Sequence, residues 1–320
     1  MNFTHGQIIL LSCLAASALL TAIIVSALAQ VKSSGTVIRE QGPESHRKKA
    51  AIPSTGGRAF LSSLLLIGFP GAILMTDPRA MIAIAAGLLT GMIGLADDTT
   101  KLVKRDSSGL KARYKLPLQI IIGFLVSGAV FYLLSDDSIR IPFMKITVHI
   151  GWWKILVGML AYLTIINAVN FTDGVDGLAS SSVIIASIFL ALAIFATKTG
   201  SVLIPVILAG ISVGFLPFNW HPAKIFMGDS GALCISGALA AAAIASGLEI
   251  VMIMIGIVFI IEISTVVIQV VYFRLSGGKR IFRMTPIHHA WELRGFKEPA
   301  IVKGFCFVGA IGGLIGWLSA

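Results

Sequence analysis

The sequence has few charged residues for its length. Asp, Glu, Lys and Arg together occupy 12% of the 320 positions, whereas hydrophobic residues occupy 56%. Soluble globular chains typically carry about 25% charged residues, so this composition excludes the ordinary soluble class. Apolar runs of about 17 residues or more are long enough to cross the hydrocarbon core of a bilayer. The composition therefore predicts a polytopic membrane protein.

Cysteine is also scarce, and several familiar sequence signals are missing. The three cysteines, Cys13, Cys234 and Cys306, form no CxxC pair, which argues against a disulfide framework or a thiolate metal site. The net charge is +10, but no basic segment is interleaved with aromatic residues, so we expect no nucleic-acid partner. No internal repeat or second soluble domain is visible. We expect residues 1–320 to form a single integral membrane domain.

Ten apolar runs predict an all-α bundle of about ten transmembrane helices. Because lipid offers the backbone no hydrogen-bond partner, helices are the expected form of these runs. The first run has no Lys or Arg before it, so we expect a membrane helix there rather than a cleaved signal peptide. The runs cover residues 7–30, 60–76, 80–96, 117–134, 152–170, 180–197, 201–219, 231–248, 250–273 and 303–319.

The basic residues are concentrated in alternate loops. Residues 31–59, 97–116, 220–230 and 274–298 contain most of the 25 Lys and Arg residues. Loops rich in Lys and Arg remain in the cytoplasm, so these four loops are predicted to face it. Ten spans then place both termini outside. The positive charge should attract anionic substrates or anionic lipid headgroups.

Two adjacent carboxylates, Asp97 and Asp98, end the third apolar run. Adjacent side chains on a helix point about 100° apart, so one can face the bundle while the other faces a groove. Two anions this close to the membrane repel each other, and a bound cation would relieve that repulsion. The alternative is an ordinary solvated helix end at which Lys101 pairs with Asp97 at i,i+4 spacing.

Two further acidic segments lie at the predicted cytoplasmic ends of helices. Asp173 and Asp176 each precede a glycine, where the backbone can turn tightly and approach a ligand, and Asn167 and Asn170 come just before them. Asp229 opens the eighth run, where a helix N-terminus favours phosphate. A Mg²⁺ ion on these carboxylates could bridge to a diphosphate. Simple helix capping is the alternative for both segments.

The last candidate residues are two histidines and one glutamate. No Cys or HExxH accompanies His288 and His289, so zinc is not expected; as partly protonated donors they suit phosphate oxygens, and surface histidines are the alternative. Glu262 lies near the middle of the ninth run, where an ionisable residue is a functional candidate. It could hydrogen-bond Ser264, Thr265 or a neighbouring helix, or it could line a lipid groove.

Taken together and in order, these segments resemble the motifs of the polyprenyl-phosphate N-acetylhexosamine-1-phosphate transferases. PSTGG at 53–57 resembles the family's PTMGG, DDTTK at 97–101 its DDxxK, and GLKARYK at 109–115 its GLSARxK. The later segments resemble NAVNLTDGLDGLA at 167–179, PAxxFMGDxG at 222–231 and MAPIHHHxELxGWxEP at 284–299. Six motifs in the family's order, spread over nearly the whole chain, form a specific signal.

The resemblance is closest to the members that use UDP-N-acetylmuramoyl-pentapeptide. It implies an Mg²⁺-dependent enzyme of the bacterial cytoplasmic membrane, forming a homodimer, that transfers the phospho-sugar to undecaprenyl phosphate and yields lipid I and UMP. A sister transferase that moves N-acetylglucosamine-1-phosphate is the alternative, which the spacing of PIHHAWEL disfavours. A secondary anion transporter would show repeated halves and a midplane site, and only Glu262 fits that description.

The resemblance also implies roles at the catalytic centre. It implies that Asp229 is a Mg²⁺ ligand and that Asp97 and Asp98 orient or deprotonate the lipid phosphate. It further implies that Asn170 and Asp173 organise the centre.

Other matched positions are implied to bind substrate. The histidines His288 and His289 would contact the sugar-phosphate region. Apart from the resemblance, transfer between two phosphates needs charge neutralisation, which Lys101 and these histidines could provide together with Mg²⁺. Asp176 and Phe226 would hold the uracil ring. Lys48, Lys49 and Ser54 correspond to an inner loop that contacts the nucleoside. Two departures stand out: Ala290 replaces the family's third histidine, and KKAAIPSTGG differs from KKGTPTMGG in length and residues.

Overall fold

The chain forms a bundle of long apolar helices, described here from a computed structural model at residues 4–30, 52–104 and 109–320. In chain order the elements are α1 (His5–Gln30), α2 (Gly57–Leu74, with a π-helical turn at Leu64–Gly68), α3 (Pro78–Lys104), α4 (Ala112–Leu133), β1 (Ser138–Ile141), β2 (Ile146–His149), α5 (Trp153–Thr172), α6 (Leu178–Thr197), α7 (Leu203–Asn219), α8 (Gly228–Ile244), α9 (Glu249–Ile255), α10 (Ile257–Leu275), α11 (Ile287–Glu292) and α12 (Glu298–Ser319).

The expected polytopic helical membrane protein is confirmed, with differences in detail. Within the described ranges, eight helices are long and apolar enough to cross a membrane, while α7 and α8 are shorter apolar helices. The ninth run is broken at Gly256, where α9 ends and α10 begins. The prediction of an all-α fold was wrong in one place: β1 and β2 form an antiparallel hairpin between α4 and α5.

Helix α8 lies at the centre of the bundle. Every residue from Ser230 to Ile244 is buried, and the sequence GDSGALCISGALAAAAI consists largely of small residues. Small side chains let neighbouring helices approach closely in a membrane protein, and α2, α3, α5 and α7 all pack against α8. The helix that carries Asp229 in its first turn is therefore held on several sides.

The closest of these approaches joins α3 to α8. A stripe of glycines on α3, at Gly87, Gly91 and Gly94, faces α8, and a Cβ atom added at Gly94 would lie 2.2 Å from the carbonyl oxygen of Asp229. The two backbones touch at this point because Gly94 has no side chain. The contact brings the last part of α3 against the first turn of α8.

The β1–β2 hairpin lies at the end of the bundle opposite Asp229. Lys154 Nζ donates to the carbonyl of Ser138 at 2.7 Å and lies 2.5 Å from Glu249 Oε1, with both side chains buried. The guanidinium of Arg140 donates to the carbonyl of Ala320. These contacts tie the hairpin to the ends of α5, α9 and α12.

Candidate functional site

Three carboxylates from two helices meet where α3 crosses the start of α8. Asp97, Asp98 and Asp229 each place one oxygen within 4.8 Å of the others. Asp97 and Asp98 are both buried, at 2% and 8% exposure. Asp97 Oδ1 also accepts a hydrogen bond of 2.7 Å from the backbone N–H of Leu110. This burial contradicts the alternative of a solvated helix end.

Asp98 acts as a cap for α8 although it lies on another helix. Its Oδ1 accepts the backbone N–H of Asp229 at 3.1 Å, and its Oδ2 accepts both the N–H and the hydroxyl of Ser230, at 2.9 and 2.7 Å. The first N–H groups of a helix have no partner within the helix, so the Asp98 carboxylate satisfies two of them. Asp98 thereby fixes Asp229 in place.

Two lysines share the charge of these carboxylates. Lys101 Nζ lies 2.5 Å from Asp97 Oδ2, 3.3 Å from Asp229 Oδ2 and 4.0 Å from Asp98 Oδ1. Lys115 Nζ donates to Asp229 Oδ2 at 2.5 Å. No role was predicted for Lys115 from the sequence, although it is the final residue of the GLKARYK motif. Lys101 is not only the i,i+4 partner of Asp97.

The end of α5 supplies the next polar groups. Asn170 Nδ2 donates to Asp229 Oδ1 at 3.4 Å, so Asn170 joins the cluster. Asn167 does not, because its amide donates to Gln119 Oε1 at 3.1 Å. Asp173 caps the end of α5. Burial, together with the negative charges of Asp229, Asp98 and Asp176, raises the pKa of Asp173 to about 7.

Asp176 is fixed within a separate network beside the cluster. Its Oδ2 accepts the backbone N–H of Ala223 at 3.1 Å and lies 3.0 Å from His221 Nδ1. Its own N–H donates to Glu298 Oε2 at 3.0 Å. The loop that follows α5 is thus tied both to the segment before α8 and to the start of α12.

The predicted nucleoside-binding residues are described only in part. The segment before α2 runs beside the segment before α8, because the N–H of Phe226 donates to the carbonyl of Pro53 at 2.9 Å. Ser54 lies next to the first turn of α8: a Cβ at Gly228 would be 2.8 Å from Ser54 Oγ. Ser54 and Phe226 are therefore neighbours of the acidic cluster. Lys48 and Lys49 lie outside the described residues.

The histidines differ from the expectation of open donors to phosphate. His288 has no exposed surface, and its Nδ1 lies 3.1 Å from Oε2 of Glu262, which is also fully buried. His289 is half-buried, and its Nδ1 lies 2.6 Å from Glu292 Oε2. Ala290 is buried as well, so the position of the family's third histidine lies in the interior. Glu262 faces protein rather than a lipid groove.

The cluster can hold a hard divalent cation. Carboxylate oxygens are the ligands that Mg²⁺ prefers, and those of Asp97, Asp98 and Asp229 lie close enough together for one ion to reach them. The three carboxylates outnumber Lys101 and Lys115, the lysines that contact them among the described residues, so the ionised cluster retains negative charge that a cation would neutralise. The surrounding ammonium groups suit an anionic ligand such as a diphosphate.

Comparisons with known proteins agree with this arrangement. The model of glycosyl transferase family 4 matches residues 80–247, a range that contains the acidic cluster. Three similar curated proteins are each named phospho-N-acetylmuramoyl-pentapeptide-transferase. The protein from Shouchella clausii is 37% identical over 97% of this chain and 98% of its own length. The protein from Clostridium kluyveri is 41% identical over 89% and 90%, and that from Listeria monocytogenes is 38% identical over 88% of each chain.

The matches extend along almost the whole chain, from the glycine stripe and its aspartates to the histidine motif. The chain belongs to the phospho-N-acetylmuramoyl-pentapeptide-transferase family, within glycosyl transferase family 4.

Proposed function

We propose that this protein transfers phospho-N-acetylmuramoyl-pentapeptide from its UDP derivative to undecaprenyl phosphate, giving lipid I and UMP in peptidoglycan synthesis. The observation that carries the proposal is the contact of Asp97, Asp98 and Asp229 with Lys101 and Lys115 at the ends of apolar helices. Such a site can neutralise phosphate charge next to a membrane. The names and the identity of the relatives support this substrate pair.

The membrane arrangement follows from the same proposal. The chain crosses a bacterial cytoplasmic membrane ten times, with both termini outside and the acidic cluster on the cytoplasmic face. The basic loops support this orientation. The lipid phosphate would then reach the cluster from the inner leaflet and the nucleotide from the cytoplasm. We further propose that residues 1–320 form one domain, because no second soluble domain is visible in the sequence. The proposal that two copies form a homodimer rests on the family resemblance.

Mg²⁺ is the proposed cofactor, with Asp229 as its principal ligand. Asp229 is half-buried and lies at the start of α8, where it is held by Asp98, Lys115 and Asn170. When bound, the ion would supply positive charge to the diphosphate of the sugar nucleotide. Asp97 and Asp98 contribute the neighbouring oxygens, and Asp98 is already engaged as the cap of α8.

Direct displacement is the reaction that fits these groups. A phosphate monoester has a second pKa of about 6, so undecaprenyl phosphate is largely dianionic at neutral pH and needs no strong base. One of its oxygens forms a bond to the sugar-linked phosphorus, the bond between that phosphorus and the bridging oxygen breaks, and UMP leaves with the electron pair. Lys101 and Lys115 stabilise the charge on the phosphates, and Asp97 orients the attacking phosphate.

The remaining assignments concern substrate binding. Asn170 keeps the end of α5 against Asp229, and Asp173, at the same helix end, would help to organise the centre. Asp176 and Phe226 would hold the uracil ring, and Ser54, with Lys48 and Lys49, would contact the nucleoside. His289 would reach the sugar-phosphate region directly. His288 is buried, so its contribution would be exerted through the residues that it contacts.

The test is a comparison of two donors. The purified full chain in detergent is supplied with undecaprenyl phosphate, Mg²⁺ and either UDP-N-acetylmuramoyl-pentapeptide or UDP-N-acetylglucosamine, and UMP release is measured. We expect release only with the pentapeptide donor, and about 10³-fold less of it from the Asp229→Asn variant. Release that is as fast with UDP-N-acetylglucosamine would overturn the proposal in favour of the sister activity. A phosphorylated enzyme trapped during turnover would overturn the one-step scheme.

A further inference from the structure

Glu262 and His288 form a buried pair that the catalytic scheme does not use. Neither side chain has any exposed surface, and His288 Nδ1 lies 3.1 Å from Glu262 Oε2. The two groups are near enough for an ion pair but are not aligned as a hydrogen bond, and among the described residues neither side chain has a hydrogen-bond partner. A carboxylate buried in an apolar helix is costly unless a nearby group compensates it. His288 is the group in that position.

Helix α10 contacts the segment before the histidines through other buried polar residues besides Glu262. Glu262, Thr265 and Gln269 are buried polar residues at helical spacing, whereas Val267, Ile268 and other apolar residues of α10 are exposed. Gln269 Oε1 accepts the backbone N–H groups of Ile281 and Phe282, at 3.1 and 2.9 Å. One polar face of α10 therefore holds the segment that leads to the histidines at two points.

The opposite side of the His288 ring faces the loop after α5. A Cβ atom added at Gly174 would lie 2.2 Å from His288 Nε2 and 3.2 Å from Cε1 of His289. Gly174 lies between Asp173 and Val175, so the His288 ring lies against the backbone immediately next to Asp173 of the candidate site. His288 is thus enclosed between Glu262 on one side and this loop on the other.

We propose that Glu262 is a positioning residue for the transfer reaction: its carboxylate holds the His288 ring by Nδ1, with Nε2 against Gly174, and thereby keeps the loop 173–177 in place. A carboxylate beside one imidazole nitrogen favours a proton on that nitrogen and fixes the ring orientation. The loop in turn carries Asp173 and Asp176. Glu262 acts through His288 and touches no substrate. The inference rests on the proposed function for its catalytic readout.

The experiment compares Glu262→Gln, Glu262→Leu and His288→Ala with a control, Glu249→Gln. Glu249, the first residue of α9, is a second buried carboxylate, paired with Lys154 at the opposite end of the bundle. UMP release is measured with the full chain in detergent, together with the thermal unfolding midpoint. We expect Glu262→Leu to lower kcat by about tenfold or more, with KM for both substrates within about threefold of wild type. Glu249→Gln should lower the midpoint and leave kcat unchanged.

The pairing with His288 gives a second readout. Adding Glu262→Leu to His288→Ala should lower kcat no further than His288→Ala alone, because the loss acts through the ring. An additive loss, or a Glu262→Leu variant with wild-type kcat, would overturn the proposal. Should Glu262→Leu fail to fold, Glu262→Gln, which keeps the size of the side chain, is subjected to the same comparison.

A structural readout separates this inference from the proposed function. Hydrogen–deuterium exchange of the peptide that covers 170–178 should speed up in Glu262→Leu and His288→Ala but not in Glu249→Gln. Unchanged exchange in all three variants would refute the positioning role of Glu262, even if the wild-type enzyme is active. Wild-type protein that releases no UMP, with faster loop exchange in the two variants, would instead sink only the proposed transfer reaction.

Discussion

Asp98 and Ser230 are joined by two hydrogen bonds that cross between helices: Asp98 Oδ2 accepts the backbone N–H of Ser230 at 2.9 Å and its hydroxyl at 2.7 Å. The residues are 132 positions apart. This contact decides where α8 begins relative to α3, and hence where Asp229 lies relative to Asp97.

Replacing Asp98 by Asn should destabilise the fold as well as the site. An amide cannot accept all three hydrogen bonds that Asp98 receives from Asp229 and Ser230, and a lost hydrogen bond to a charged group costs about 1.5–3 kcal/mol. We expect a lower thermal unfolding midpoint in detergent and little UMP release. Ser230→Ala removes one of the three bonds, so its unfolding midpoint should lie between those of Asp98→Asn and the wild type. An unchanged midpoint in Asp98→Asn would contradict the capping role.

Asp229→Asn should be far more damaging than Asp97→Asn. Asp229 contacts Lys101, Lys115 and Asn170 and is the proposed Mg²⁺ ligand, whereas a largely dianionic lipid phosphate can dispense with a base. We expect UMP release to fall by about 10³-fold in Asp229→Asn and by about tenfold in Asp97→Asn. EDTA should abolish wild-type activity, and added Mg²⁺ should not rescue Asp229→Asn. Equal losses in the two variants would refute this division of roles.

Lys115→Gln should separate charge neutralisation from metal binding. Loss of the ammonium group beside Asp229 removes charge stabilisation from the phosphates, so kcat should fall by about 10- to 100-fold. The same change removes a positive charge that would repel Mg²⁺ from Asp229, so half-maximal activation should need less Mg²⁺. Lys111, in the same motif, is exposed, and Lys111→Gln serves as the control. Similar effects of both substitutions would argue against a specific role for Lys115.

Gly94→Ala should disrupt the crossing of α3 and α8. Its Cβ would lie 2.2 Å from the carbonyl oxygen of Asp229, and overpacking of this kind costs about 1–3 kcal/mol. At Gly128, inside α4, an added Cβ would have nothing within 4 Å, so Gly128→Ala should leave stability unchanged or raise it by about 0.5–1 kcal/mol. Thermal unfolding in detergent distinguishes the two. A neutral Gly94→Ala would mean that the helices can separate without cost.

The proposed orientation predicts which side of the membrane each loop occupies. Lys145, in the hairpin, and Lys279, after α10, are both exposed. A membrane-impermeant maleimide should label Lys145→Cys in intact cells and Lys279→Cys only after permeabilisation. The opposite pattern would invert the topology. The parent chain, whose Cys13 and Cys234 are buried, provides the background measurement.

Much of the helical framework could be predicted from apolar length alone. The runs correspond to α1–α10 and α12, because membrane helices satisfy their own backbone hydrogen bonds locally. The hairpin was missed, although SIRI and ITVH alternate polar and apolar residues in a pattern typical of strands. The break at Gly256 was also missed, since a glycine within an apolar run does not by itself end a helix.

The candidate site was predicted in its composition more fully than in its geometry. The motifs led to Asp97, Asp98 and Asp229, whose carboxylates the fold brings together, and to Asp173 at the end of α5. They did not show that Lys115 binds Asp229, because no local pattern relates residues so far apart. Nor did they show that His288 is buried against Glu262: the paired histidines looked alike in sequence, and only packing against α10 and Gly174 distinguishes them.

The sequence by itself determined that this is a membrane protein, which segments form its helices, and that acids, lysines and histidines gather at their ends. Those properties depend on local hydrophobicity and charge. Only the tertiary structure decided which of these groups meet, because the distances between α3, α5, α8 and α10 are set by how closely small residues let the helices pack. That packing gives Asp98 its cap, Asp229 its lysines and His288 its carboxylate.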